Sequence, residues 1–323
     1  MRFLVTGATG KVGNAVALAL AERGDDVIAL VRDLSRAEDA LPDEVELARG
    51  DVTDPGSLRQ AADGVDGVFN CMGIFEQWLP DPATFDRVNA EGARNVVVAA
   101  REAGVARVVH TSTFDVFDAP RGGTVSERGL ADYPKPTAYE RSKQRAERLV
   151  LAEAANGVEV VICNPAAVFG PGPWAAAGLD SAFRDVLRGR LPAVPPGGMT
   201  LAYADDVAAG HLAAFDRGRP GERYILADGY ASMPELVAAV VEARGRGRVP
   251  PAIPEPVARF VAAAGERVSR LIRRPPLLPK GELSFLLWEA RADSTRAREE
   301  LGVEFTPWRE GVRHTVDWIE RRQ

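Results

Sequence analysis

The sequence predicts an α/β fold: a Rossmann-type doubly wound parallel sheet with a smaller, interleaved C-terminal substrate lobe. Three observations predict it. An apolar run, Arg2-Phe-Leu-Val-Thr6, leads into glycines at positions 7, 10 and 13, which open a helical pattern. Short β-type runs then alternate with helical stretches through the first half of the chain. Tyr139 and Lys143 sit four residues apart in one of those helical stretches, so both side chains reach the same small volume.

Taken in order, runs at 2–6, 27–31, 45–49, 67–71, 107–111 and 159–163 read as strands. They are nearly all apolar, as strands covered on both faces must be. Stretches 12–23, 55–62, 85–103 and 136–155 read as helices, and this alternation implies right-handed crossovers. After Pro165 the texture changes. Turn-rich stretches at 170–173 and 192–198 bracket a helix expected at 182–189, and 201–207 and 223–227 read as returns to the sheet. From Ser232 onward the chain is mostly helical. The expected division is therefore a dinucleotide-binding unit over 1–169, with returns near 201–228, and a substrate lobe over 170–200 and 229–323.

Bulk properties exclude several classes. With 323 residues the chain has room for a large core, and its 46% hydrophobic, 27% charged composition is that of an ordinary globular protein. A net charge of −6 argues against nucleic acid as a partner. Cys71 and Cys163 fall in strand runs and read as buried thiols; with three scattered histidines, no metal site is expected. The chain enters its first strand without a leader, and no apolar run is long enough to span a bilayer, so a cytoplasmic location without a membrane span is expected. Stretch 254–274 is amphipathic and basic; a helix packing its apolar face on the lobe is the expectation, with a membrane-surface helix as the competing reading. A homodimer is left open.

The glycines suit a dinucleotide. Gly7, Gly10 and Gly13 allow a tight turn and close approach of backbone to a pyrophosphate, whose charge meets the helix N-terminus along with Thr9, Lys11 and Val12. The second strand ends Val31-Arg32-Asp33. An NAD enzyme usually carries an acid there for the ribose hydroxyls; Arg32, assisted by Arg36, favours a 2′-phosphate, so NADP is favoured over NAD. Asp51 and Val52 would lie beside the adenine, and Asp51 also suits a cap on the helix that starts near Pro55. Thr111-Ser-Thr113 ends a strand at the edge where ligands bind. A lysine near a tyrosine favours phenolate, which moves Tyr139 toward acid–base chemistry.

These motifs resemble the extended short-chain dehydrogenase/reductases, the branch holding sugar-nucleotide epimerases, dihydroflavonol reductases and 3β-hydroxysteroid dehydrogenases. The resemblance runs through Thr6-Gly-Ala-Thr-Gly-Lys-Val-Gly13, Val88-Asn89, the Thr-Ser-Thr strand end, Tyr139-Glu-Arg-Ser-Lys143, Asn164-Pro165 to Gly172, and Tyr203-Ala-Asp-Asp-Val-Ala208. It implies that Tyr139 is the acid–base group, that Lys143 binds the nicotinamide ribose and lowers the tyrosine pKa, and that Thr113, or failing it Ser112, positions the substrate oxygen. Cys71, Met72, Gly73, Asn89, Thr111, Pro165 and Val168 complete the implied cofactor set. Two departures stand out: Thr113 replaces the family's usual serine, and Phe114-Asp115 follows where 4,6-dehydratases carry Asp-Glu, which argues against dehydration and leaves Asp115 without a role.

Ile74, Phe75, Trp78, Phe114, Phe117, Phe169 and Trp174 are the expected lining of the substrate pocket. That set is apolar and aromatic, with few cations to meet a diphosphate. The expected activity is hydride transfer between nicotinamide and a ketone or secondary alcohol of a bulky, largely apolar small molecule. The alternatives are an NAD-dependent sugar-nucleotide epimerase and a non-enzymatic redox sensor that binds dinucleotide; intact Thr113, Tyr139 and Lys143 speak against the sensor.

Overall fold

Near-continuous burial along the early strands marks a sheet covered on both faces. In the computed structural model, which describes residues 1–172 and 178–322, the chain opens as β1 (Arg2–Thr6), α1 (Lys11–Glu22), β2 (Asp26–Val31), α2 (Leu34–Glu38), β3 (Glu46–Arg49), α3 (Pro55–Ala62) and β4 (Gly67–Asn70). A short α4 (Ala83–Phe85), a π-helical turn over Asp86–Glu91 and α5 (Gly92–Glu102) follow, then β5 (Arg107–Thr111), β6 (Thr124–Val125), α6 (Ala138–Ala154) and β7 (Glu159–Pro165). The second half holds β8 (Ala167–Phe169), α7 (Leu179–Leu187), β9 (Gly198–Tyr203), α8 (Ala204–Arg217), β10 (Arg223–Leu226), β11 (Tyr230–Ser232) and α9 (Met233–Arg244). It ends with α10 (Glu255–Ile272), α11 (Lys280–Trp288), β12 (Arg291–Ala292), α12 (Thr295–Leu301) and α13 (Trp308–Glu320).

The central sheet has seven strands in the order β10-β7-β5-β4-β1-β2-β3, and every pairing is parallel. The order reverses between β1 and β4, which opens a crevice at their carboxyl ends. Phe3 and Val5 of β1 and Val27 and Ala29 of β2 face α1 and α8, while Leu4 and Ile28 face the side of α3, α5 and α6. This period of two fills both faces of the sheet.

The lobe core gathers Phe169, Phe183, Leu201, Leu236 and Val316 under a three-stranded sheet, β11-β9-β8. Here the structure departs from the sequence expectation. β10 does return to the central sheet, but 201–207 does not: β9 pairs with β8 and β11, and α8 begins at Ala204 and packs on α1. Asp205 and Asp206 in the first turn of α8 suit a helix N-terminus, and that preference ends the strand. No described helix is long and apolar enough to cross a membrane.

Candidate active site

The turn between β1 and α1 forms the floor of the crevice. Gly7 has φ +73°, and a Cβ there would lie 2.8 Å from the Met72 Cα at the end of β4. A Cβ on Gly13 would come within 2.3 Å of the Gly7 carbonyl oxygen. Only glycine fits at either position, and the first turn of α1 therefore presses against the β1 turn with its amide groups facing the crevice. Gly10 caps α1 and is exposed, and Thr9 and Val12 are half-buried beside it. This cradle suits a pyrophosphate.

The Lys11 ammonium is placed on the Gly170 carbonyl at 2.5 Å, the Pro171 carbonyl at 3.1 Å and the Asp180 carboxylate at 2.6 Å. Asp180 is itself buried in the first turn of α7 and accepts the Gly170 N–H. With three acceptors around it, Lys11 ties the dinucleotide turn to the lobe.

At the far end of the crevice Arg32 follows β2, is exposed, and lines a polar cavity of about 390 Å³ with Arg49, Gly50, Asp51, Asp54 and Ser57. Among the described residues, neither Arg32 nor Arg49 pairs with a carboxylate. Asp33 is occupied elsewhere: it caps α2, accepting the Arg36 N–H and the Ser35 hydroxyl, and these bonds lower its pKa. Arg36 is exposed on α2 and does not line the cavity. Asp51 lines it but does not cap α3. Its carboxylate accepts the Thr53 N–H and hydroxyl, and Asp54 is the cap. Val52 is buried behind, its carbonyl accepting Asn95. Arg49 was not singled out in the sequence, because the strand order places it beside Arg32 and no local motif does.

The loop after β4 packs against α6 at the side of the crevice. Asn89 sits in the π-helical turn and holds Ile74 through both backbone groups, with bonds of 2.7 and 2.9 Å, while donating to Ser142 of α6 at 3.0 Å. A π turn at such a point re-aims one side chain out of helical register. Asn89 thereby fixes Cys71, Met72 and Gly73 against α6: a Cβ on Gly73 would lie 3.3 Å from the Lys143 Nζ. Pro165 ends β7 and Val168 lies in β8, the strand that follows it. Cys71 and Cys163 are both free thiols, and burial pushes the Cys71 thiol up to about 12.

α6 presents the chemistry. A capping box formed by Thr137 and Glu140 starts it, with bonds of 3.1 and 2.8 Å. Tyr139 and Lys143 then lie one turn apart, 7% and 5% exposed. Lys143 donates to the Thr111 carbonyl at 2.9 Å, and burial lowers its pKa to about 8. Thr113 is buried, accepts the Asp115 N–H at 3.3 Å, and its hydroxyl eases ionisation of the Tyr139 phenol. Ser112, the fallback, is buried and its hydroxyl has no hydrogen-bond partner.

The phenol departs from expectation. Burial, and then the negative charge of Asp115, push the Tyr139 pKa well above its ordinary value, and no lowering by Lys143 outweighs them. Asp115 is the residue that sequence reasoning left without a role. It is 7% exposed, within reach of the Thr113 hydroxyl, and held at about 7 by burial and by Glu140. Beneath the strand ends runs a buried polar chain, Thr6–Asn70–His110, and a second, Thr111–His211, whose histidines burial keeps neutral. No spacing in the sequence signals either.

The expected aromatic lining is only partly present. Trp78 lines a cavity of about 540 Å³ with Leu79, Pro82, Phe85, Ala138 and Arg273, next to Tyr139, whose ring lies 6.3 Å from that of Phe85. Ile74 is half-buried and Phe75 exposed near Gly178. Phe114 and Phe117, by contrast, are 1% and 0% exposed, packed with Ile225, Ala290 and Trp288, and Phe169 is enclosed in the lobe core. These three support the site from behind and do not line it. Trp174 lies outside the described residues.

A glycine cradle at a helix N-terminus, facing a buried Thr–Tyr–Lys set across the switch point of a parallel sheet, defines a dinucleotide-dependent protein of the Rossmann class. The chain belongs to the NAD dependent epimerase/dehydratase family, whose model matches residues 3–227. It is an extended short-chain dehydrogenase/reductase, as the resemblance implied. It is 34% identical to sterol demethylase protein B of Methylococcus capsulatus over 327 positions, covering 100% of this chain and 99% of that one. A putative dihydroflavonol 4-reductase of Synechocystis is 30% identical, over 98% of this chain and 94% of its own. The crystal structure of gox2253 superposes with a TM-score of 0.78 at 31% identity, covering 99% of this chain and 98% of that chain.

Proposed function

We propose that this protein is an NAD(P)-dependent oxidoreductase that transfers a hydride between nicotinamide and the ketone or secondary alcohol of a bulky, largely apolar small molecule. One observation carries the reading: Thr113, Tyr139 and Lys143 converge in a buried pocket beside a cavity that Trp78, Leu79, Pro82 and Phe85 wall on one side and Glu266, Ser269 and Arg273 on another. A bound nicotinamide supplies the hydride at carbon. Thr113 donates a hydrogen bond to the substrate oxygen, and Tyr139 delivers the proton that this oxygen needs once the carbon is reduced. Burial and Asp115 hold the phenol protonated at rest, which is the form that donates. Lys143 remains largely cationic at neutral pH and stabilises the phenolate left behind.

Arg32 and Arg49 support NADP as the preferred cofactor, because two guanidinium groups at one polar cavity match a 2′-phosphate. The similarity to a putative dihydroflavonol 4-reductase of Synechocystis supports reduction.

The test is NADPH and NADH oxidation against a panel of multi-ring and long-chain ketones, run beside UDP- and dTDP-sugars in a thermal-shift assay. Turnover of an apolar ketone is expected. Dinucleotide retained through purification, no net oxidation of added NADPH and selective stabilisation by a sugar nucleotide would instead assign an epimerase. Dinucleotide binding with no turnover in either panel would leave the sensor.

A further inference from the structure

We propose that α10 and the turn after it dock on an anionic lipid bilayer surface. Val257, Phe260, Val268 and Leu271 recur at helical spacing and are 46%, 74%, 53% and 85% exposed; Ile272 and Leu277 extend the patch at 57% and 82%. These side chains are not needed to hold the helix down. A different stripe, Ala258, Ala262 and Ser269, faces inward, with the two alanines packing on Leu283 and Leu287 of α11. The helix therefore carries two apolar faces, and only the narrow one of small residues is covered. An uncovered patch of large side chains in a chain with a well-filled core marks a contact surface.

Charge selects the partner. Arg267, Arg273 and Arg274 are exposed beside this patch, and none forms an ion pair among the described residues. Arg259 is the exception, tied to Glu255 at 2.7 Å. A chain of net charge −6 thus gathers unpaired cations around its largest exposed apolar face. A second copy would bring the same arginines against one another. Anionic headgroups neutralise them while Phe260, Leu271 and Leu277 enter the acyl boundary, the usual arrangement of an interfacial helix.

The patch adjoins the cavity beside Tyr139, because Glu266, Ser269 and Arg273 of the same segment form one of its walls. Docking would set that cavity at the lipid surface. The docking itself does not rest on the substrate reading and is tested without turnover.

Vesicle flotation of the full-length protein decides it, comparing phosphatidylcholine vesicles with phosphatidylcholine doped with phosphatidylglycerol. The wild type is expected to float with the anionic vesicles, to remain unbound with the neutral ones, and to detach as salt is raised. Leu271→Ser combined with Leu277→Ser, and separately Arg267→Glu combined with Arg274→Glu, should each weaken partitioning about tenfold or more. Unchanged unfolding midpoints and dinucleotide titrations identify correctly folded variants, and the charge pair, wholly exposed, keeps the test open if the leucine pair misfolds. Wild type that stays unbound at low salt, or flotation indifferent to both variants, would overturn the proposal. So would a dimer in light scattering that the leucine pair dissociates while no flotation is seen, which would assign the face to a second copy.

Discussion

Around the Thr113 hydroxyl, Tyr139 and Asp115 are both buried, and the Asp115 charge raises the proton affinity of the phenol. Removing the phenol oxygen tests the first role. Tyr139→Phe is expected to keep the fold and the dinucleotide titration while lowering turnover of any accepted ketone about a hundredfold or more; a fully active variant would remove Tyr139 from proton transfer. Asp115 makes a prediction in pH. Its ordinary value is 3.8 and its folded value about 7. Between those limits the folded chain keeps a proton that the unfolded chain has lost, so unfolding free energy falls as pH rises and stays lowered above the window. Asp115→Asn should therefore stabilise the protein by about 1–3 kcal/mol at pH 8 and hardly at all at pH 4. Urea unfolding at both pH values checks this, and an equal gain at the two would contradict it. For the cofactor, Arg32→Ala should cost NADPH about ten- to a hundredfold in affinity and leave NADH nearly unchanged, read by fluorescence titration.

At the scale of elements, the capping box of α6 controls where Tyr139 and Lys143 point. Thr137→Ala leaves the Glu140 N–H without its acceptor and should cost about 0.5–2 kcal/mol of stability. The loss of order falls on the turn that carries Tyr139, so turnover should fall more than dinucleotide affinity does. A variant whose turnover and affinity fall in step would argue that the box only holds the helix together. The strands of the central sheet and most of their flanking helices were legible because burial on both faces writes an apolar run that no loop imitates, and glycines 7, 10 and 13 follow one such run. What was not legible depends on distant partners. Phe114 and Phe117 follow a strand end as pocket residues would, and only Trp288 and Ala290, from far along the chain, turn them into core. Lys11 reads as a phosphate ligand, and nothing local to it signals its pairing with Asp180. Arg49 gains meaning only from the order β1-β2-β3. The split of 201–207 into the end of β9 and the start of α8 turned on two aspartates that favour a helix start over a continued strand.

The whole molecule is stitched together more tightly than a two-part division suggests. β10 re-enters the central sheet from the second half, α8 packs on α1, and Lys11 clasps Asp180 across the mouth of the crevice. Thr306 and Trp308, leading into α13, donate to Asp206 of α8 and to Asp228 just after β10. Unfolding the lobe alone would strand β10 and expose the α8 face of the sheet, so sheet and lobe should melt as one cooperative unit. A dinucleotide binds only the folded cradle, and at a hundred times its dissociation constant it should stabilise that unit by about 2.7 kcal/mol. Calorimetry is expected to give a single endotherm that NADPH moves upward as a whole by several degrees. Lys11→Ala, which cuts the clasp without touching the glycine turn, should lower the midpoint in both conditions yet keep the transition single. Two endotherms, with NADPH moving only one of them, would show that the lobe is an independent folding unit and that the interleaving contacts hold it in place without making it cooperative.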